Sequence, residues 1–397
     1  MLSVDDAIAL VIADAAVLPG EMVWLADAHG RVLAVDVAAK VTQPPFRSSV
    51  MDGYAVRRAD LASLPVTLKL VGESAAGHAF GGQAGPGEAV RIFTGAPVPA
   101  GADYVVIQEN VEASGNEVRI REANTESYIR ARGADFSEGG ILLRAGRRLT
   151  PRDLLLAAQM NHASLPVCRR PRVAVLASGD ELVPPGGKPA ASQIISSIPS
   201  ALLAMLRAAG ADPTFLGIAR DRPESLAEHI AAAEGADILV TIGGASVGDH
   251  DLVRQALEDA GFVIGFHKVA MRPGKPFMSG KRGGLRVLGL PGNPVSAVIC
   301  AIIFLLPLVA ALLREDRPPV SAMQIALASP LPANGPRQHY MRARIVDMGG
   351  AHAVEALPSQ DSSLTAALAA ADCLIVRPPN APPAQAGEAV EMLPLNI

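Results

Sequence analysis

Three short polar loops, each following an apolar run, constrain the fold of this chain more than any other feature. The apolar run at residues 287–290 leads into the turn Pro291-Gly292-Asn293-Pro294, after which a helix is predicted to begin. Two similar loops, at residues 178–182 and 243–249, also follow apolar runs. In an open parallel sheet, loops at the carboxyl ends of strands gather along one edge, where ligands bind. The sequence therefore predicts a sheet edge that offers backbone N–H groups, hydroxyls and carboxylates to a phosphorylated ligand with a divalent metal.

Length, charge and cysteine usage narrow the class of protein. A chain of 397 residues is predicted to hold more than one domain, because single cores rarely grow past about 250–300 residues. The net charge is −4 and no basic run occurs, which argues against nucleic-acid binding. Cys168, Cys300 and Cys373 have no metal-type spacing and fit buried thiols in a reducing compartment. The N-terminus lacks the charged region of a signal peptide, so we expect a cytoplasmic protein.

One uncharged segment, residues 295–313, is long enough to span a membrane. It contains Ser296 and Pro307, and it begins directly after a predicted strand and turn. This context favours a helix buried in a core or in a subunit interface. We therefore expect no membrane association.

Changes in hydrophobic pattern divide the chain into four units. Residues 4–15 have helical periodicity, and Thr150 and Pro151 form a favourable helix start; we assign both helices to one domain. The resulting fold class is a multidomain α/β protein with a central doubly wound α/β domain, an inserted small β domain and a C-terminal β domain. The predicted units are residues 1–45 with 125–168 (N-terminal, discontinuous), 46–124 (inserted β), 169–316 (α/β) and 317–397 (C-terminal β).

The loop after the predicted strand at residues 238–241 contains Gly243, Gly244 and Ser246. Glycines let a backbone approach a phosphate, and a following helix N-terminus favours an anion. A tight connection explains the Gly-Gly pair equally well. The loop is thus a candidate phosphate-binding turn with a structural alternative.

Acidic residues follow several predicted strands. Glu181 and Asp221 stand just past strand ends, and Asp249 and Asp251 lie in the Gly-Gly loop region. Carboxylates are hard oxygen ligands that suit Mg²⁺. Turn acids or helix caps are the alternative interpretation, and capping is the commoner role.

Two cations, Arg272 and Lys275, lie close together in a turn with two prolines. They are a candidate clamp for an oxyanion, although two solvated surface cations explain the segment as well. The segment is not a Walker A loop, because the Gly-x-x-x-x-Gly-Lys-Ser/Thr spacing is absent. Ser296 lies close to the predicted helix start, where an anion is favoured.

In combination, these motifs resemble the MoeA-type molybdopterin molybdenumtransferases, whose eukaryotic counterpart is the gephyrin E domain. The resemblance covers nearly the whole chain, and the ordered combination is far more specific than any one piece. The matching segments are Met51-Asp52-Gly53-Tyr54-Ala55, Thr94-Gly95-Ala96-Pro97-Val98-Pro99, and residues 130–135, 178–182, 243–251, 272–276 and 291–296.

The resemblance implies an enzyme that inserts molybdenum from molybdate into adenylylated molybdopterin, with Mg²⁺, and releases AMP. It also implies a homodimer whose active cleft lies between the α/β domain of one subunit and the β domain of the other. A molybdopterin adenylyltransferase and recipient molybdoenzymes are the implied partners.

The resemblance also implies roles for individual residues. The cleft would be lined from the partner by Asp52, Thr94 and Asp135. The residues that would bind metal or pterin are Glu181, Asp221 and Asp251. Residues of the flanking turns would also line the binding site, namely Gly243, Gly244, Pro291, Asn293 and Pro294. The oxygens of molybdate or phosphate would be held by Ser246, Arg272, Lys275 and Ser296, with Arg337 and Ser362 as further contacts from the C-terminal domain.

The chain departs from the family pattern at three positions. The family often has Asn where Ile198 stands, Ser or Thr where Ile242 stands, and Val where Ala245 stands. Loss of the Asn removes a polar contact to the ligand. Two alternatives therefore stand beside the insertase: a molybdopterin adenylyltransferase, which the extra β domains argue against, and a non-catalytic scaffold that binds the cofactor.

Overall fold

The computed structural model describes residues 1–243, 252–316 and 321–395. Within these ranges, eight α-helices occur. They are α1 Val4–Ile12, α2 Pro151–Gln159, α3 Ile198–Ala208, α4 Pro223–Ala231, α5 Leu252–Asp259, α6 Pro294–Cys300, α7 Leu306–Leu312 and α8 Thr365–Ala369, with a π-helical segment, Ala301–Leu305, joining α6 to α7.

The strands fall into three groups along the chain. The first group is β1 Gly20–Trp24, β2 Val37–Ala38, β3 Ser48–Ser49, β4 Gly53–Val56, β5 Val66–Ser74, β6 Glu88–Ile92, β7 Tyr104–Ile107, β8 Val111–Ser114, β9 Glu117–Ile120, β10 Ile129–Arg130, β11 Ile141–Leu143 and β12 Ser164–Cys168. The second is β13 Arg172–Ser178, β14 Leu182–Val183, β15 Ile194–Ile195, β16 Asp212–Ala219, β17 Ile238–Ile242, β18 Val263–Phe266, β19 Met271–Arg272, β20 Met278–Arg282 and β21 Leu285–Leu290. The third is β22 Met323–Leu327, β23 Gln338–Asp347, β24 His352–Ala356, β25 Cys373–Arg377 and β26 Ala389–Pro394.

A six-stranded sheet in the order β16-β13-β17-β21-β20-β18 forms the centre of the α/β unit. The first four strands are parallel. Alternate residues of β13 face opposite sides of the sheet. Val173 and Val175 pack with α3 and α6 on one side. Ala174 and Leu176 pack with α4 and α5 on the other. Helices therefore cover both faces, and the predicted doubly wound α/β domain is confirmed.

The sequence analysis missed β20. This strand pairs antiparallel with β21 across a turn at Gly283 and Gly284. Its residues Ser279 to Arg282 are mostly polar and lack the apolar run that marked the other strands of this sheet. Pairing with a neighbouring buried strand, rather than its own pattern, makes this segment extended.

The apolar segment at residues 294–312 is a helix interrupted by one π-helical segment. It is long and apolar enough to cross a membrane by length and composition, but 89% of its apolar window is buried inside the protein. It lies in the largest apolar core, against α1 and α3. The predicted buried helix is confirmed.

The first helix packs in the core of the α/β unit. Helix α1 begins at the N-cap Ser3, whose Oγ accepts a hydrogen bond from Asp6 N at 3.1 Å. It ends at Ile12, and its buried face packs against α7 in the α/β core. Helix α2 instead packs in a separate core with Phe136 and Leu149. The two helices are thus held by different cores, although β1 and β12 pair and bring residues 20–24 beside residues 164–168.

Two further sheets complete the fold. Residues 53–120 form a six-stranded sheet in the order β7-β4-β6-β5-β9-β8. In the C-terminal region, β23-β24-β22-β26-β25 closes into a barrel because β25 also pairs with β23. Strand β19 leaves the α/β unit and pairs in parallel with β23. This pairing fixes the turn after Arg272 beside the C-terminal barrel.

Candidate active site

A cavity of about 720 Å³ opens at the carboxyl ends of β13, β17 and β21. Loops that follow these strands supply its polar groups, as the sequence predicted. One of them depends on glycine: Gly243 has φ +89°, and a Cβ there would stand 2.8 Å from the carbonyl oxygen of Ser178. The residues that bring donors and acceptors to the cavity are Ser178, Glu181, Ser196, Ser197, Asp221, Asn293 and Ser363.

Two of the predicted metal ligands, Glu181 and Asp221, line this cavity. Burial raises the pKa of Asp221, and the negative charges of Asp180 and Glu181 raise it further, although a hydrogen bond from the backbone of Asp180 opposes this shift. A bound cation offsets the electrostatic repulsion between carboxylates at a cavity wall. Glu181 and Asp221 therefore fit part of a magnesium site. Within the described ranges no three His, Cys, Asp or Glu side chains form a complete metal site, and the third predicted ligand, Asp251, lies outside the described residues.

A second cavity of about 350 Å³ adjoins the first. Pro276, Pro291 and Asn293 border both cavities, so the two spaces meet at this wall. We call three cations and two serines that line the second cavity the oxyanion cradle, namely Arg272, Lys275, Ser296, Arg337 and Ser362.

The cradle carries an excess of positive charge. Among the described residues, none of its three cations takes part in an ion pair. The Asp361 carboxylate also borders the cavity, and hydrogen bonds from the backbone and hydroxyl of Ser363 hold its pKa below the ordinary value. Three cations beside one carboxylate leave the cavity with a net positive charge, which favours the binding of a small dianion.

The hydroxyls of the cradle are held by neighbouring elements. Ser296 lies in the first turn of α6 and is only 4% exposed. The Ser362 hydroxyl accepts a hydrogen bond from Asn293 Nδ2 at 3.2 Å, and the Ser362 carbonyl accepts one from Val295 N at 3.2 Å. The loop at residues 357–364 is thereby tied to the start of α6.

A buried arginine fixes the same loop from the other side. Arg342 is 1% exposed and donates hydrogen bonds to the carbonyls of Ser359, at 3.2 Å, and Leu364, at 3.3 Å. Its backbone N–H donates to Gln360 Oε1 at 2.9 Å. Because the loop carbonyls are satisfied by one rigid side chain, Ser362 is held in place at the cradle.

Asp52 and Thr94 form a separate polar pair in the inserted sheet. The backbone N–H and the hydroxyl of Thr94 both donate to Asp52 Oδ1, each at 2.8 Å. These hydrogen bonds, and after them the charge of Arg91, lower the pKa of Asp52. The pair therefore presents an ionised carboxylate on the surface of this domain.

Comparisons with known proteins cover the whole of this architecture. Residues 2–160 match the family model "MoeA N-terminal region (domain I and II)", residues 174–311 match "Probable molybdopterin binding domain", and residues 324–395 match "MoeA C-terminal region (domain IV)". A molybdopterin molybdenumtransferase of Haemophilus influenzae is 34% identical over 95% of this chain and 94% of its own length. The chain belongs to the MoeA family.

Other MoeA relatives agree. The molybdopterin molybdenumtransferase of a Nostoc species is 36% identical over 85% of this chain and 78% of its own length. The crystal structure of a MoeA protein from Pyrococcus horikosii superimposes with a TM-score of 0.86 at 29% identity, and covers 99% of both chains. The names of these relatives support the transferase over the adenylyltransferase alternative.

The structure brings most of the residues implied by the MoeA resemblance into two adjoining groups. The large cavity is lined by Glu181, Asp221, Gly243, Pro291, Asn293 and Pro294, and the small one by Arg272, Lys275, Pro291, Asn293, Ser296, Arg337 and Ser362. Asp52, Thr94 and Asp135 line neither cavity in the same chain. Gly244, Ser246 and Asp251 lie outside the described residues.

Two of the departures from the MoeA pattern lie at the ligand cavity. Ile198 is 7% exposed and Ile242 is 3% exposed; both border the large cavity and pack into the main apolar core. The wall is therefore apolar at two positions where the resemblance predicted polar side chains. The third departure, Ala245, falls outside the described residues.

The sequence analysis missed the residues that hold the cradle together. Arg342 and Gln360 are separated by 18 positions and meet only through the folded barrel. The sequence analysis also missed Asp361, which borders the smaller cavity and lies beside Ser362 in the sequence. The position of Asp361 next to Ser362 was the only sequence feature that could have identified any of these three residues.

Proposed function

We propose that this protein is a molybdopterin molybdenumtransferase that inserts molybdate into adenylylated molybdopterin and releases AMP. The observation that carries the proposal is the oxyanion cradle, whose three cations form no ion pair with any described residue, directly beside the larger cavity. Molybdate is a small dianion, and cations and hydroxyls are the groups that bind its oxygens.

The two cavities suggest separate places for the two substrates. Adenylylated molybdopterin would occupy the larger cavity, whose volume of about 720 Å³ suits a ligand of that size. Molybdate would bind in the cradle. Because Pro276, Pro291 and Asn293 border both spaces, the oxyanion and the pterin would meet at this wall, and proximity of this kind lowers the barrier to reaction.

The chain's own residues would stabilise charge rather than act as strong nucleophiles. Arg272, Lys275 and Arg337 would bind the oxygens of molybdate and of the neighbouring phosphate. Glu181 and Asp221, with Asp251, would hold Mg²⁺. When bound, the ion would neutralise phosphate charge and assist departure of AMP.

We further propose a cytoplasmic homodimer. Asp52, Thr94 and Asp135 lie away from both cavities of their own chain, so a partner subunit would bring them to the cleft. The three cysteines are unpaired and buried, which fits a reducing compartment. Contacts with a molybdopterin adenylyltransferase and with molybdoenzymes belong to the same proposal.

The test is AMP release from adenylylated molybdopterin, measured with and without molybdate and Mg²⁺. Release that needs both, with molybdenum retained on the pterin, is expected. Lys275→Ala should abolish insertion with folding intact. Lys281→Ala is the matched control, because Lys281 is exposed and pairs with Asp14 at 3.5 Å. Equal activity of the two variants would refute the role of Lys275, and a stable, active monomer by light scattering would refute the shared cleft.

A non-catalytic scaffold is the second candidate, and the apolar wall formed by Ile198 and Ile242 favours it. It predicts tight binding of adenylylated molybdopterin without release of AMP. Ile198→Asn would then be the first variant to test for recovered activity.

A further inference from the structure

Arg91 lies between the two turns that supply Asp52 and Thr94. It belongs to β6 and stands opposite Tyr54 of β4. Its Nη1 donates to the carbonyl oxygen of Gly53 at 3.1 Å, and its Nη2 donates to Gln108 Oε1 at 2.8 Å. The side chain therefore bridges the turn of Asp52 and the end of β7.

The guanidinium is held by aromatic rings as well as by hydrogen bonds. Its Cζ lies 5.0 Å from the ring centroid of Tyr54 and 4.8 Å from that of Phe93. Contacts with two rings restrict the orientation of a planar guanidinium, which a lysine ammonium cannot reproduce. Phe93 directly precedes Thr94, so Arg91 also contacts the second turn.

The backbone of Asp52 is fixed by the same set of residues. Gln108 N donates to the carbonyl oxygen of Asp52 at 3.1 Å, while the Gln108 side chain accepts from Arg91. Both carbonyls of the Asp52-Gly53 dipeptide are thus held, one by Arg91 and one by Gln108. Thr94 holds the carboxylate itself.

We propose that Arg91 is a positioning residue that fixes the Asp52 turn and thereby orients the Asp52 carboxylate toward the ligand. The proposal rests on the proposed function, in which Asp52 reaches the cleft of the partner subunit. Arg91 makes no ion pair within the described part of the chain. Its charge therefore acts on Asp52 without a competing carboxylate in direct contact.

Several titratable side chains lie on the elements around Asp52. They include Arg91 and Glu88 on β6, Tyr54 on β4, Glu73 opposite Arg91 on β5, Tyr104 on β7, and Glu109 in the turn after β7. The two Thr94 hydrogen bonds lower the pKa of Asp52 most, and the charge of Arg91 adds to them. Removal of the Arg91 charge is therefore expected to raise the pKa of Asp52 toward its ordinary value.

The experiment compares Arg91→Met, Arg91→Lys and a matched control, Arg58→Met. Arg58 also lies over a tyrosine ring in this domain, with its Cζ 5.5 Å from the centroid of Tyr104, and that ring belongs to β7 and not to the Asp52 turn. The carboxyl signal of Asp52 is followed by ¹³C NMR in aspartate-labelled protein from pH 7 to pH 3, and is assigned by its loss in Asp52→Asn. The kinetics of AMP release are measured in parallel.

Arg91→Met should shift the titration of Asp52 to higher pH and lower kcat by about 10- to 100-fold, because a displaced carboxylate loses its orientation. Arg91→Lys should restore the wild-type titration of Asp52 but only part of kcat. Arg58→Met should leave the Asp52 titration and kcat unchanged. An Asp52 titration identical in wild type and Arg91→Met would overturn the inference, as would equal kcat in an active protein. A wild-type protein that releases no AMP would refute the proposed function, while the NMR titration would still decide whether Arg91 controls Asp52.

Discussion

Arg272 of the oxyanion cradle and His339 are paired in register across the parallel strands β19 and β23. His339 is 7% exposed, and its Nε2 has no hydrogen-bond partner among the described residues. Burial, and after it the positive charges of Arg272, Arg337 and Arg342, lower the pKa of His339 to about 4. A neutral imidazole therefore lies beside the cationic cradle without adding to its charge.

This pairing predicts a specific acid sensitivity. The unfolded chain binds the His339 proton near the ordinary pKa of 6.5, whereas the folded chain binds it only near 4, so stability should fall as the pH drops from about 6.5 to 4. The pKa difference corresponds to a loss of at most about 3 kcal/mol. His339→Gln removes this titration and should make stability less dependent on pH over that range. Thermal midpoints of both proteins from pH 7.5 to pH 4.5 test the prediction, and two parallel curves would contradict it.

The oxyanion cradle predicts that molybdate affinity depends strongly on Arg337 and not on Arg344, which lies outside the cradle. Arg337 borders the cradle, so Arg337→Gln should weaken molybdate affinity by about 10- to 100-fold through loss of charged hydrogen bonds. Arg344 is the control, since its side chain is 55% exposed and pairs with Glu355 outside the cradle. Isothermal titration with molybdate should show the loss for Arg337→Gln and unchanged affinity for Arg344→Gln. Equal affinities of the two variants would remove Arg337 from the binding site.

The turn after Asp52 requires glycine for steric reasons. A Cβ on Gly53 would stand 1.9 Å from the carbonyl oxygen of Val106 on the neighbouring strand. Gly53→Ala should therefore destabilise the inserted sheet by about 2 kcal/mol or more and displace the Asp52 carboxylate. Gly81→Ala is the matched control, because no atom lies within 4 Å of a Cβ at that position. Chemical denaturation should separate the two variants, and equal stabilities would show that the strands can move apart at little cost.

The cysteines should be inert in the folded protein. Burial raises the pKa of all three thiols, to about 11 for Cys373, and each side chain is fully enclosed. Because the thiolate is the reactive form, an aromatic disulfide reagent at pH 8 should label none of them within minutes and all three after unfolding. Rapid labelling of one thiol in the native protein would show that its surroundings open readily.

Much of the α/β unit was predictable because its determinants are local. Buried parallel strands show as short apolar runs, and the residues that follow them mark the ligand edge; Glu181, Asp221 and Asn293 were identified in this way. Strand β20 was not, because its polar residues are extended only through pairing with β21. The sequence also did not indicate which core holds α1, since amphipathic periodicity reveals a buried face without revealing what covers it.

The sequence by itself determined most of the strands and helices of the α/β unit, the long buried helix, and the chemical types of the residues that line the site. Only the tertiary structure decided that Arg272, Ser296, Arg337 and Ser362 form one cradle. The reason is the pairing of β19 with β23, which carries a two-residue strand of the α/β unit onto the C-terminal barrel. β19 and β23 lie about 65 residues apart in the sequence, and their contact depends on long-range hydrogen bonding and packing. A local sequence pattern cannot predict such a contact.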